Sequence, residues 1–191
     1  RGCVAPCRKP YFGAVGHIAL DVEGRLPPPL SGIGYKLREP WLKKVLAGQA
    51  DIRPHMHIRM PQFPAPAVAA LPQLLAQADA ADTSPENEVF GGKLESADVG
   101  RQLMDIGCVQ CHEFRGEALP GTVGVDLAGI ASRVHPQWFR EFVYNPGVLK
   151  ERTRMPTFFP GGKSPHKDLL DGDPHRQIAA MWSYLKQLEN Q

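Results

Sequence analysis

Two cysteines three positions apart with a histidine directly after them, Cys108-Val109-Gln110-Cys111-His112, constrain this chain more than any other feature. On one turn, two thiols at this spacing can add to the two vinyl groups of a single porphyrin. The following imidazole then falls under the metal, so the spacing is that of c-type haem attachment. Other uses of the pattern exist. A redox-active cysteine pair would want a thioredoxin-like βαβ context, which is missing around these residues. Half a zinc site would want a second ligand pair of comparable spacing.

The flanking sequence supplies what such a motif needs. Asp98 to Gly107 reads as a short helix with Ser96 or Asp98 as N-cap, and Val99, Leu103 and Ile106 make one apolar face. Arg154-Met155-Pro156 offers a soft thioether 43 residues after His112, on a loop stiffened by the proline. Met155 is therefore the expected sixth ligand, with His135 as its competitor. Met104 and Met181 lie on helices and are expected to be core. Asp173-Pro174 opens a C-terminal amphipathic helix carrying Ile178, Met181, Trp182 and Leu185.

From about Ser96 to Gln191 the chain resembles a class I c-type cytochrome. The likeness is carried by Gly100 and Met104, the Cys108–His112 motif, Gly124-Val125-Asp126-Leu127, Arg133, Trp138, Arg154-Met155-Pro156 and Tyr184-Leu185-Lys186. It implies an all-α, loop-rich fold with covalent haem on Cys108 and Cys111 and axial ligands His112 and Met155. It also implies that Gly100 lets the last helix cross closely, with Trp182 or Tyr184 packed at the crossing. Arg133 matches a position that pairs with a haem propionate; an ordinary solvated arginine is the other reading. Trp138, Phe139 and Phe142 are expected to form a helix face against the porphyrin, and Phe158 and Phe159 to shield the iron from water. One position departs from the family. Val125 stands where Gly-Pro-Asp-Leu has the proline whose carbonyl accepts the histidine ring N–H, a bond for which a backbone carbonyl can still serve.

The first half repeats the second. Leu30-Ser-Gly-Ile-Gly-Tyr-Lys36 parallels Leu127-Ala-Gly-Ile-Ala-Ser-Arg133, and Trp41 and Trp138 each stand 11 residues past the leucine. Arg59-Met60-Pro61 repeats Arg154-Met155-Pro156, and Val68, Leu71, Leu75 and Ala78 suggest a helix where the second copy has its last. The expected organisation is tandem modules: a degenerate one over residues 1–80 whose first helix is missing, a linker over 81–95 and a cytochrome domain over 96–191. The attachment motif is altered in the first copy, Gly2-Cys3-Val-Ala-Pro-Cys7-Arg8, and arginine has no lone pair for iron. A haemless remnant with a Cys3–Cys7 disulfide is the favoured reading. A second haem held through His17, His55 or His57, and a fragment of a longer polypeptide, are the alternatives.

Charge and composition exclude some classes. Lys and Arg number 22 against 20 Asp and Glu, too balanced for nucleic-acid binding. No apolar run reaches the length of a membrane span, and Arg1-Gly-Cys does not begin like a signal peptide. Residues 1–80 carry a net +5 and residues 81–191 a net −3, which would suit holding the two modules face to face, steering an acidic partner to the first, or scattered surface charge. The expected function is electron transfer by one low-spin His/Met haem c, without enzymatic chemistry at the metal. The expected place is the periplasm or another extracytoplasmic space of a bacterium, between a redox donor and acceptor. The pattern also resembles cytochrome domains of large planctomycete-type proteins. That likeness implies a larger complex, for example with a dehydrogenase. Alternatives are a haem-bearing subunit of an oxidoreductase (dehydrogenase or peroxidase), a dihaem protein, or an interaction module.

Overall fold

The computed structural model describes residues 29–50, 60–81, 84–92, 94–115, 124–151 and 153–190. Cys3, Cys7, Arg8, His17, His55 and His57 lie outside them, so the expectations placed on those residues do too. Among the described residues the secondary structure is helical, as expected. The chain divides into two compact units, Arg1–Ala81 and Asp82–Gln191.

In the first unit, α1 (Ile33–Lys36) starts from Gly32, whose φ of 73° is a left-handed conformation that glycine adopts without strain. Leu37 is extended, and α2 (Glu39–Leu46) follows with a proline in its first turn. The apolar positions from Val68 to Ala78 do not make one helix. They fall on α3 (Ala65–Val68) and α4 (Leu71–Ala78), because Pro72, second in α4, has no amide hydrogen with which to continue the preceding helical ladder. α1 and α4 cross at Gly34, where a Cβ would lie 2.1 Å from the Leu75 carbonyl oxygen. The Gly34 amide donates to the Asp79 carboxylate at 2.9 Å, just past the end of α4.

The second unit begins with α5 (Glu86–Val89), inside the stretch expected to be a linker. That expectation needs correcting: Glu86–Val89 is a packed helix. Glu86 accepts from the Trp182 indole at 3.1 Å and pairs with Lys186. Val89 is buried, Phe90 lies against Trp182, and Arg140 donates to the Val89 carbonyl. Next comes α6 (Ala97–Gly107), whose N-cap is Ser96. Its buried positions are Gly100, Leu103 and Met104. Ile106, expected on the inner face, is 43% exposed.

The remaining helices are α7 (Ile130–Arg133), α8 (Pro136–Tyr144), α9 (Pro146–Leu149) and α10 (Pro174–Glu189). Asp173 caps α10, its carboxylate accepting from the amides of His175 and Arg176. Ile178, Met181, Trp182 and Leu185 of α10 are all buried, each contributing roughly 1.5–3 kcal/mol of apolar transfer free energy. α6 crosses α10 at Gly100, where a Cβ would stand 2.0 Å from the Ala180 carbonyl oxygen. Phe90 and Phe139 pack on Trp182 nearby, while Tyr184 instead faces Phe114.

The sequence repeat is also a repeat of backbone. Gly129 precedes α7 with φ 74° and ψ 10°, matching Gly32 at 73° and 10°. Val134 is extended after α7 as Leu37 is after α1, and each returns its amide to the first helical residue, Ile130 or Ile33. His135 and Arg38 then lead into α8 and α2 with closely similar angles. As in the first unit, a carboxylate from the end of the last helix serves the short one: Glu189 accepts from the Ser132 amide at 2.7 Å. A carboxylate there satisfies an amide that a four-residue helix leaves without an internal partner.

Candidate functional site

α6 ends at Gly107, and one 3-10 turn over Cys108–Gln110 carries the chain to the histidine. The amides of Cys111 and His112 both return to the Cys108 carbonyl, at 3.1 and 2.9 Å. Cys108 and Cys111 therefore sit on one turn, both as free thiols, the first half-buried and the second exposed. Burial, then Cys111, then Asp105, push the Cys108 thiol up to about 11. A thiol raised in this way stays protonated at neutral pH, whereas redox-active and metal-binding cysteines sit where the thiolate is favoured.

His112 is held from the opposite strand of the loop. Its Nδ1 lies 2.8 Å from the Val125 carbonyl oxygen. A carbonyl only accepts, so Nδ1 carries the proton and the neutral ring keeps its lone pair on Nε2. Burial holds the ring's pKa below its ordinary 6.5, although the Val125 bond acts in the other direction. The valine carbonyl thus supplies the bond that the missing proline had left open.

The segment that presents Val125 is tied closely to the motif. The Gly124 amide donates to the Cys111 carbonyl at 2.7 Å, and that of Leu127 to the Glu113 carbonyl at 2.9 Å. A Cβ on Gly124 would sit 2.5 Å from both the Cys111 carbonyl oxygen and His112 Nδ1, so the approach requires glycine. The Asp126 carboxylate accepts from the amides of Arg115 and Ala128, at 3.1 and 2.7 Å.

Arg133 is 4% exposed, which excludes the solvated reading. Its Nη2 donates to the Asp126 carbonyl, one residue beyond the carbonyl that holds His112. Burial lowers its pKa, while Asp126 and Glu189 favour its charge.

Met155 is half-buried, its amide donating to Thr153 Oγ1 at 3.2 Å. Three residues on, the Phe158 ring lies against Gly107, 3.4 Å from where a Cβ would be. The methionine loop thus packs on the residue before Cys108. Phe158 meets Phe159 edge-on and also touches the His166 ring, and Phe159 is buried. Gln177, fully buried on α10, donates to the carbonyls of His166 and Leu169 and fixes the turn behind the loop. In the sequence, the only signal for Gln177 is a glutamine within an apolar helical stripe.

The aromatic residues of α8 do not share one face. Phe139 turns into the core against Trp182, while Trp138 stacks on Phe142 at 4.5 Å, both half-buried. The separation follows from helical geometry: positions i and i+4 coincide, and i+1 is rotated away by about 100°. His135 enters as the N-cap residue of α8. Among the described residues, no three His, Cys, Asp or Glu side chains gather where they could hold a metal ion, those of the motif included. No described helix is long and apolar enough to cross a membrane. No family model, curated protein or solved structure matches the chain.

Proposed function

We propose that the chain is an electron-transfer protein that carries one haem c, attached through Cys108 and Cys111 in its second unit. The observation that supports this most is the state of His112. Its Nδ1–H is committed to the Val125 carbonyl and its Nε2 lone pair is left for a metal, beside two thiols on the same turn. The Gly124 cradle fits the same reading, since it brings backbone against the ring without a side chain between them. When bound, haem supplies a one-electron iron couple.

The roles of the chain's own residues follow. Cys108 and Cys111 provide thioether anchors, and His112 provides the nitrogen ligand, oriented by Val125. Met155 is the proposed sixth ligand. Its loop is braced by Phe158 against Gly107 and by Gln177 through His166. A thioether there would raise the reduction potential of a bound haem. Phe159, buried beside Phe158, would shield the iron from water. Thioether attachment of haem is made outside the cytoplasmic membrane, so the reading includes an extracytoplasmic site of action and soluble or complexed redox partners. The first unit shares the second's backbone pattern but has Arg8 where the ligand histidine stands, which supports a haemless copy.

Two expected results test this. The full chain, produced with a c-type attachment system, should carry one haem by alkaline pyridine spectroscopy and intact mass. Zero haem refutes the reading, and two overturn the assignment of the first unit. Met155→Ala should keep the covalent haem but open the sixth position, so that its ferrous form takes up carbon monoxide at neutral pH while the parent resists. Equal uptake by both would remove Met155 as a ligand.

A further inference from the structure

We propose that Arg133 is the positioning residue for His112: its buried guanidinium clamps the turn whose preceding carbonyl holds the imidazole ring. The inference rests on the haem reading only for what His112 ligates; the clamp itself belongs to the polypeptide.

The geometry is compact. Val125 and Asp126 present successive carbonyls; the first accepts from His112 Nδ1 and the second from Arg133 Nη2. Displacing the Asp126 carbonyl rotates the peptide that follows Val125, and with it the acceptor of the ring proton. An arginine ending a four-residue helix would by default extend into water. Burying its guanidinium is unfavourable unless hydrogen bonds and opposite charge compensate. Here the compensation comes from the Asp126 carbonyl together with the nearby Asp126 and Glu189 carboxylates. Glu189 also accepts from the Ser132 amide, so the helix bearing Arg133 is itself held in place. This grip on a backbone carbonyl is distinct from pairing with a haem carboxylate.

The internal repeat provides an independent comparison. The position matching Arg133 in the first unit is Lys36, and the first copy of the motif has Arg8 where His112 stands. The forked donor occurs in the copy that has a ring to hold. A lysine, with a single ammonium on a flexible stem, occurs in the copy that has none.

The test observes the ring Nδ1–H of His112 in the full chain by 1H–15N correlation, together with its solvent exchange. The proton exists whether or not iron occupies Nε2, so the measurement does not depend on loading. Haem content, measured separately, judges the haem reading. Parent protein should show a protected Nδ1–H. In Arg133→Met, exchange should quicken by about tenfold or more, or the proton should move to Nε2 in haem-free chain. Arg133→Gln, too short to reach the carbonyl, should do the same and covers the case in which the methionine variant does not fold. Phe139→Leu, a core change at the Trp182 contact, should leave the ring proton as in the parent. A parent-like Nδ1–H in whichever arginine variant folds overturns the proposal, as does an equal effect from Phe139→Leu.

Discussion

Gly100→Ala is expected to destabilise the second unit by about 3 kcal/mol, the upper end of what overpacking costs. Two effects of opposite sign meet at this position. Inside a helix, alanine is favoured over glycine by about 1 kcal/mol. Against that, the new methyl would lie 2.0 Å from the Ala180 carbonyl oxygen, with the Met181 amide nitrogen 3.0 Å away. Those are backbone atoms of the best-buried helix, so no side-chain rotation relieves the contact and the two helices must separate. Separation loosens the packing of Leu103 and Met104 against α10. The crossing therefore outweighs the propensity. Urea unfolding followed by tryptophan fluorescence would measure it, since Trp182 is buried in this core. Gly147→Ala is the matched control. Its added methyl would meet only the Asn145 side chain, at 3.6 Å, and should leave the midpoint nearly unchanged. Equal midpoints for Gly100→Ala and the parent would mean that the helices do not cross there.

Gly124→Ala should act on the site rather than the core. The methyl would lie 2.5 Å from His112 Nδ1 and from the Cys111 carbonyl. It forces apart the two segments joined by the Gly124 amide and by the His112–Val125 bond. Loss of an oriented second partner commonly reduces metal binding 10- to 100-fold, so haem incorporation should fall by about tenfold or more. The pyridine spectrum normalised to intact mass gives the number. Parent-like loading would show that the loop closes differently around the motif.

Much of this was legible in the residues, for identifiable reasons. The Cys108–His112 spacing specifies a turn, and the turn is there. Asp173-Pro174 states a helix start in local chemistry, and its carboxylate caps α10. The repeat was read from letters and reappears in the angles around Gly32 and Gly129. Readings failed where distant partners decided the outcome. Pro85, Gly91 and Gly92 have the composition of a linker, but Glu86 is engaged by Trp182 and Lys186, about a hundred residues on. Ile106 fitted a helical stripe, yet the close approach at Gly100 rotates α6 so that Met104 is buried instead. Arg133 was read as a surface or haem-edge cation, because a sequence does not display a backbone carbonyl within reach.

The carboxylates that end each unit have a consequence for the order of events during synthesis. Asp79 serves an amide 45 residues earlier, and Glu189 one 57 residues earlier. A chain leaving the ribosome makes each short helix long before the group that completes it, and closing such spans is slow compared with forming a turn. The Cys108 turn is local and can form at once, whereas the Arg133 helix that steadies its loop waits for α10. In the interval the two thiols and the imidazole lie on a formed turn beneath an unclosed loop. Until the last helix arrives, that loop lacks the carboxylate that completes its supporting helix.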